Sequence, residues 1–291
     1  MIPEDIEAFW GRAWEEVRTA PLDFHRSLRS DYPLDGFRVE RLEFSSVGGQ
    51  RLSGWIALPE GVSRAPGFVW VPPYGRESLL PNRFGTRPGM VSLSLNLHGL
   101  DAFHQEKYHP SRGYFAEGVG EPETYIFRTL WQHAAMAVRV LQAQIEVDED
   151  QLGAMGMSQG GGISIWLGAW CPLVKAVCAD MPFLGRIEAA FDRPIHRYPL
   201  KELIDFVENE PLGNERARHT LSYFDTSHQA AFCRVPTHVS LGLKDPAAKP
   251  ESVREIYDAL AGEKDLVEYD WGHDWHPEMV SRNQNWLLQH F

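Results

Sequence analysis

Three residue types that cooperate in acyl transfer occur in an informative order along this chain of 291 residues. The segment Gly156-Met157-Ser158-Gln159-Gly160-Gly161-Gly162 sets a serine among glycines. A serine on a sharp turn between a strand and a helix projects its oxygen out of the sheet edge. Its neighbours must be tiny there, because the strand and helix backbones nearly touch. The amide of the next residue, Gln159, then points from a helix N-terminus at a developing oxyanion. Two other readings compete: a turn that only packs tightly, and a phosphate-cradling loop, although the spacing and lysine of a P-loop are missing.

Serine alone is a weak nucleophile, so a base must take its proton and an acid must orient that base. Asp245, in Gly242-Leu243-Lys244-Asp245-Pro246, directly follows a predicted strand. Asp-Pro is also a common turn pair, so a surface aspartate is the competing reading. His273, in Tyr269-Asp270-Trp271-Gly272-His273-Asp274, precedes the last predicted helix. An imidazole there would reach Ser158 through one nitrogen and Asp245 through the other. His276 is the rival base, and His273-Asp274-Trp275-His276 is also a conceivable metal site, for which no third ligand is evident. Tyr74, in Val71-Pro72-Pro73-Tyr74-Gly75, follows an inner strand. Its backbone amide is a candidate second oxyanion donor, against the plainer reading of a turn tyrosine packed on a cap. Trp70, Tyr74 and Phe183 adjoin these motifs and are candidate walls of a narrow acyl pocket. His98, His104, His109 and His133 read as surface or core residues.

The elements that must position these groups follow from periodicity. Residues 4–19 carry Ile6, Phe9, Trp10, Trp14 and Val17 on one helical stripe. Residues 20–35 read as an irregular connection, so 1–35 forms an N-terminal helical extension. Phe37–Phe44 alternates with period two, and Leu52–Leu58 reads as its returning strand. Phe68–Val71 is a short continuous apolar run, as expected of a strand buried on both faces, and Met90–Leu95 reads as another inner strand. Helix and strand then alternate: a helix over 125–142, strand 151–157, helix 161–170, strand 173–179, strand 235–243, helix 251–261, strand 266–269 and helix 277–289. This predicts one α/β domain over 1–291, with a mostly parallel central sheet, antiparallel N-terminal strands and helices on both faces. Residues 185–232, helical pieces broken by Pro and Gly, are expected to insert as a cap over the carboxyl edge, where such sheets do chemistry.

Composition narrows the function. With 43% hydrophobic and 23% charged residues the chain is an ordinary globular one. A net charge of -12 disfavours nucleic acid and polyanionic substrates. Three cysteines, Cys171, Cys178 and Cys233, imply no disulfide framework. No stretch approaches the roughly 18 apolar residues that span a bilayer, and the N-terminus lacks a signal-peptide pattern, so the expected location is the cytoplasm. A peptidase or thioesterase on the same fold, or a binding protein with a relic triad, are the alternatives to an esterase.

Several segments together resemble the acetyl xylan esterase / cephalosporin-C deacetylase family, of the α/β-hydrolase fold. They are Gly-x-Ser-Gln-Gly-Gly at 156–161, Asp180-Met181-Pro182-Phe183-Leu184, Gly242-Leu243-x-Asp245 and Gly272-His273 with an acidic residue after it. Gly118-Val119, Tyr125-Ile126-Phe127-Arg128 and Phe9-Trp10 add to the likeness, which runs from about residue 5 to the C-terminus. The resemblance implies deacetylation of acetylated sugars or antibiotics without a cofactor or metal. It implies a triad of Ser158, Asp245 and His273, an oxyanion hole of the Tyr74 and Gln159 amides, and a ring-shaped homo-oligomer. Departures are Asn96-Leu97-His98-Gly99-Leu100-Asp101 where the family has Arg-Gly-Gln, Asp274 where Glu is usual, and Pro246-Ala247-Ala248-Lys249-Pro250, which lacks the usual cysteine.

Overall fold

The computed structural model describes residues 1–106, 113–187, 191 and 198–291. His109 and part of the expected cap lie outside the described residues. Nine strands form one sheet in the order β1-β2-β3-β5-β4-β6-β7-β8-β9. They are β1 Phe24–Leu28, β2 Phe37–Ser45, β3 Arg51–Pro59, β4 Ala65–Val71, β5 Val91–Leu95, β6 Val147–Met157, β7 Ala176–Asp180, β8 Thr237–Gly242 and β9 Lys264–Tyr269. β1, β2, β3 and β5 pair antiparallel in turn. From β5 through β4, β6, β7 and β8 to β9 every pairing is parallel. The chain is therefore an α/β fold with a mixed, mostly parallel sheet. Every residue of β5, β7 and β8 is buried, as in strands covered on both faces.

The period-two alternation of β4 divides two cores. Val69 and Val71 face one, which includes Trp10 and Val17 of α1 (Ile6–Thr19), Trp131 and Val138 of α2 (Ile126–Gln142) and Ile163 and Trp166 of α3 (Gln159–Trp170). Phe68 and Trp70 face the other, with Met90, Met155, Cys178 and Leu287 of α8 (Pro277–His290). Trp70 is thus a core side chain, in contact with Trp275 at 5.7 Å between ring centroids. α4 (Lys201–Asn209), α5 (Gly213–Phe224) and α6 (Thr226–Ala230) lie between β7 and β8, and α7 (Pro250–Ala259) between β8 and β9.

The apolar stripe of α1 buries Ile6, Phe9, Trp10, Ala13 and Val17. Trp10 stacks on Trp131 at 5.0 Å, meets Trp166 and Phe224 edge-on, and donates its indole N–H to the Tyr223 carbonyl at 3.1 Å. Burying each such large side chain is worth roughly 1.5–3 kcal/mol over leaving it exposed, which ties α1 firmly to α2, α3 and α5.

One element departs from the sequence reading. Residues 24–28, expected to be irregular, form the edge strand β1, paired with Glu40–Phe44. Its inward anchor is Arg26, which donates to Glu40 at 2.7 Å, to Glu146 at 2.9 Å and to Gln144 at 3.0 Å. A strand held by an ion network and by its partner's register shows no apolar alternation. The helical extension therefore ends at Thr19 and a sheet edge follows.

Candidate active site

The strand-to-helix turn predicted at Ser158 is present, between β6 and α3. Ser158 has φ 58 and ψ -120, a conformation that L residues rarely adopt and that other contacts must enforce. They do. Its N–H donates to the Asp180 carbonyl at 2.9 Å, and its own carbonyl accepts from Phe183 at 3.0 Å and from Gly162 at 3.1 Å. β7 and the turn after it thereby clamp the elbow on one side.

On the other side the helix start presses on the end of β4. A Cβ on Gly160 would lie 2.2 Å from the Val71 carbonyl oxygen and 2.9 Å from that of Pro72. A Cβ on Gly156 would lie 2.6 Å from the Gly160 backbone. Only glycine permits this approach. Gly160→Ala gains about 1 kcal/mol of helix propensity, but overpacking against immovable backbone costs about 3 kcal/mol or more. The clash wins, and the urea midpoint of the variant is expected to fall well below wild type.

The other predicted residues converge on Ser158. Nε2 of His273 lies 2.9 Å from Ser158 Oγ, and Nδ1 of His273 lies 2.6 Å from Oδ2 of Asp245. A carboxylate only accepts, so Nδ1 carries the proton and Nε2 presents its lone pair to the serine hydroxyl. Asp245 follows β8, and its Oδ1 accepts from the backbone N–H groups of Ala247 at 2.8 Å and Ala248 at 2.9 Å. Its side chain is fully buried, while that of His273 keeps 22% of its surface exposed. The carboxylate is sealed and the imidazole opens toward solvent. The histidine loop is tied to β8 by the Leu243 N–H to the Tyr269 carbonyl and the Lys244 N–H to the Trp271 carbonyl, at 2.8 and 2.9 Å.

His276, the rival base, takes a different place. It caps α8, accepting from the Glu278 N–H at 3.3 Å, and its ring stacks on Tyr269 at 4.1 Å. Of two other histidines, His133 is buried and His98 half-buried. Burial lowers His98 to about 3 and His133 to about 4, and Nδ1 of His133 donates to the Leu97 carbonyl at 2.6 Å. Both are neutral, structural imidazoles.

Tyr74 and Gln159 are joined by a residue that sequence reasoning missed. The Tyr114 ring stacks on Tyr74 at 4.3 Å, and the Tyr114 hydroxyl donates to Gln159 Oε1 at 3.0 Å. Glu202 of α4 reaches the same place, accepting from the Phe115 N–H at 2.6 Å and the Tyr74 hydroxyl at 3.4 Å. No spacing links Tyr114 or Glu202 to the serine motif, so only the folded chain reveals them.

The acetyl xylan esterase family model matches residues 1–290. The chain belongs to the acetyl xylan esterase family. Among curated proteins, an acetyl esterase of Xylanibacter ruminicola is 20% identical over 276 residues, 91% of this chain. The match spans 62% of that relative, so this chain corresponds to about three fifths of its length. Among solved structures, the acetyl xylan esterase of Paenibacillus sp. R4 superposes with a TM-score of 0.89 at 23% identity, covering all of this chain and 96% of that one. Acetyl xylan esterase 1 of Thermoanaerobacterium sp. JW/SL YS485 gives 0.85 at 22% identity, covering all of this chain and 95% of the other. At these identities the structural likeness establishes the fold, that of the α/β-hydrolase esterases, and the family model establishes membership. Among the described residues no helix is long and apolar enough to cross a membrane.

Proposed function

We propose that this member of the acetyl xylan esterase family is a serine carboxylesterase that removes acetyl groups from acetylated sugars or similar small esters. The observation that carries the reading is the continuous hydrogen-bonded line from Asp245 through His273 to Ser158, at the carboxyl edge of the parallel strands. As Ser158 Oγ attacks the ester carbonyl, its proton passes to Nε2 of His273, and Asp245 stabilises the imidazolium through Nδ1–H. The Tyr74 and Gln159 amides hold the oxyanion; losing one such donor typically costs about 10²–10³ in rate. Collapse expels the alcohol, which takes the proton from His273. Water then attacks the acyl-enzyme by the same route and releases acetate, so no cofactor is needed.

Residues 185–232 are read as a cap, because Glu202 in α4 accepts from the Phe115 N–H and the Tyr74 hydroxyl beside the serine turn. The family also carries the expectation of a homo-oligomer.

The test is hydrolysis of p-nitrophenyl acetate, butyrate and octanoate, followed by acetate release from acetylated xylan. Turnover is expected to be fastest with acetate and blocked by a serine-reactive fluorophosphonate. A preference for octanoate would retain the serine mechanism and discard the acetyl reading.

A further inference from the structure

The two proposed oxyanion donors come from different parts of the chain. Tyr74 lies on the loop after β4, and Gln159 opens α3. An oxyanion hole works only when its donors are fixed relative to one another before charge develops, so something must hold the β4 loop against the start of α3.

From the geometry we infer that Tyr114 is the positioning residue that locks these two donors into one oxyanion hole. The inference rests on the serine-esterase reading above. Tyr114 grips the Tyr74 loop at three points. Its ring lies nearly parallel to that of Tyr74, 17° between planes; its N–H donates to the Tyr74 hydroxyl at 2.9 Å; its hydroxyl accepts from the Gly75 N–H at 3.1 Å. The same hydroxyl donates to Gln159 Oε1. One oxygen therefore bridges the peptide that follows the first donor and the side chain of the second.

Tyr114 is only 2% exposed, and burial pushes its phenol up, so the oxygen keeps its proton and its bond to Gln159 at neutral pH. The tyrosine is itself held. The His98 ring meets it in a T-shaped contact at 4.3 Å, and Glu202 fixes the next residue through the Phe115 N–H. The close fit extends to Gly113, where a Cβ would lie 2.6 Å from the Tyr74 hydroxyl. Among the described residues Tyr114 makes no hydrogen bond to Ser158 or His273, so it acts through the amides it positions.

Tyr114→Phe is the test, because it keeps the ring stack and the backbone donor and removes only the bridging oxygen. Per active site titrated with fluorophosphonate, kcat for p-nitrophenyl acetate is expected to fall roughly 10- to 100-fold, the usual cost of a small misplacement of catalytic groups. KM is expected to move little, since the hole is used in the transition state. Gln159→Leu keeps its own amide and breaks the same bridge from the other end. It should give a similar loss, and the double variant should lose no more than the worse single one.

Unchanged kcat per site in Tyr114→Phe, or losses that multiply in the double variant, would overturn the positioning role. If Tyr114→Phe does not fold, a folded Gln159→Leu with full kcat overturns it equally. Ser158→Ala, assayed alongside, separates the two levels. Turnover surviving in that variant removes the serine reading itself, whereas its loss together with an unaffected Tyr114→Phe removes only the inference about Tyr114.

Discussion

Ser158→Ala is expected to lower kcat for acetate ester hydrolysis by about 10⁵- to 10⁶-fold, the scale on which such nucleophiles act. The prediction follows from the 2.9 Å contact between Ser158 Oγ and His273 Nε2. Alanine has the same Cβ as serine, so the strain at φ 58 is unchanged and the clamping bonds to Asp180, Phe183 and Gly162 are all backbone. The fold should survive, with a melting temperature close to wild type. Loss of turnover would then report chemistry rather than unfolding, and fluorophosphonate labelling should vanish with it. Residual activity within tenfold of wild type would mean that another group is the nucleophile.

Asp245→Asn should act on the proton rather than on the geometry, and is expected to cost about 10⁴ in kcat. Oδ1 of Asp245 is held by two backbone N–H donors. The asparagine oxygen must therefore occupy that position, which turns its NH₂ group toward His273. A donor there forces Nδ1 to accept and moves the imidazole proton to Nε2, the nitrogen that faces Ser158. The base would then present a hydrogen where a lone pair is needed. Stability should change little, since one hydrogen bond replaces another. A rate loss below tenfold would show that Asp245 does not set the tautomer.

Tyr114 and Asp245 illustrate why some of the site could be read from the chain and some could not. Ser158 and its glycines are legible because a single local event, a strand turning sharply into a helix, demands small residues at fixed offsets. Asp245 and His273 are legible because each follows a segment that reads as a strand, and parallel strands deliver their carboxyl ends to one edge. The edge strand β1 was hidden, since its burial comes from Arg26 meeting Glu40 and Glu146 rather than from apolar alternation. The rivalry between His273 and His276 could not be decided by spacing either. Both lie within two residues of Asp274, and only the packing of Tyr269 against one ring and the approach of Ser158 to the other distinguish them.

A cavity of about 640 Å³ between Tyr32, Phe37, Leu58 and Val62 makes the same point from the opposite direction. It is lined by none of Ser158, Asp245 or His273, so hollow space alone does not locate the chemistry.

What the sequence by itself determined is the order of the elements from β2 onward, the mixed sheet with its parallel centre, and the three side chains gathered at its carboxyl edge. These depend on interactions between residues a few positions apart, which leave a period or a motif behind. Only the tertiary structure decided the edge strand, the choice between neighbouring histidines, and the bridge that Tyr114 makes from the β4 loop to α3. The edge strand depends on its pairing with β2 and on Arg26 meeting Glu40 and Glu146, the histidine choice on the approach of Ser158 to His273, and the bridge on Tyr114 meeting Tyr74 and Gln159. Such contacts carry no sequence period, because the groups meet only after the sheet has closed around them.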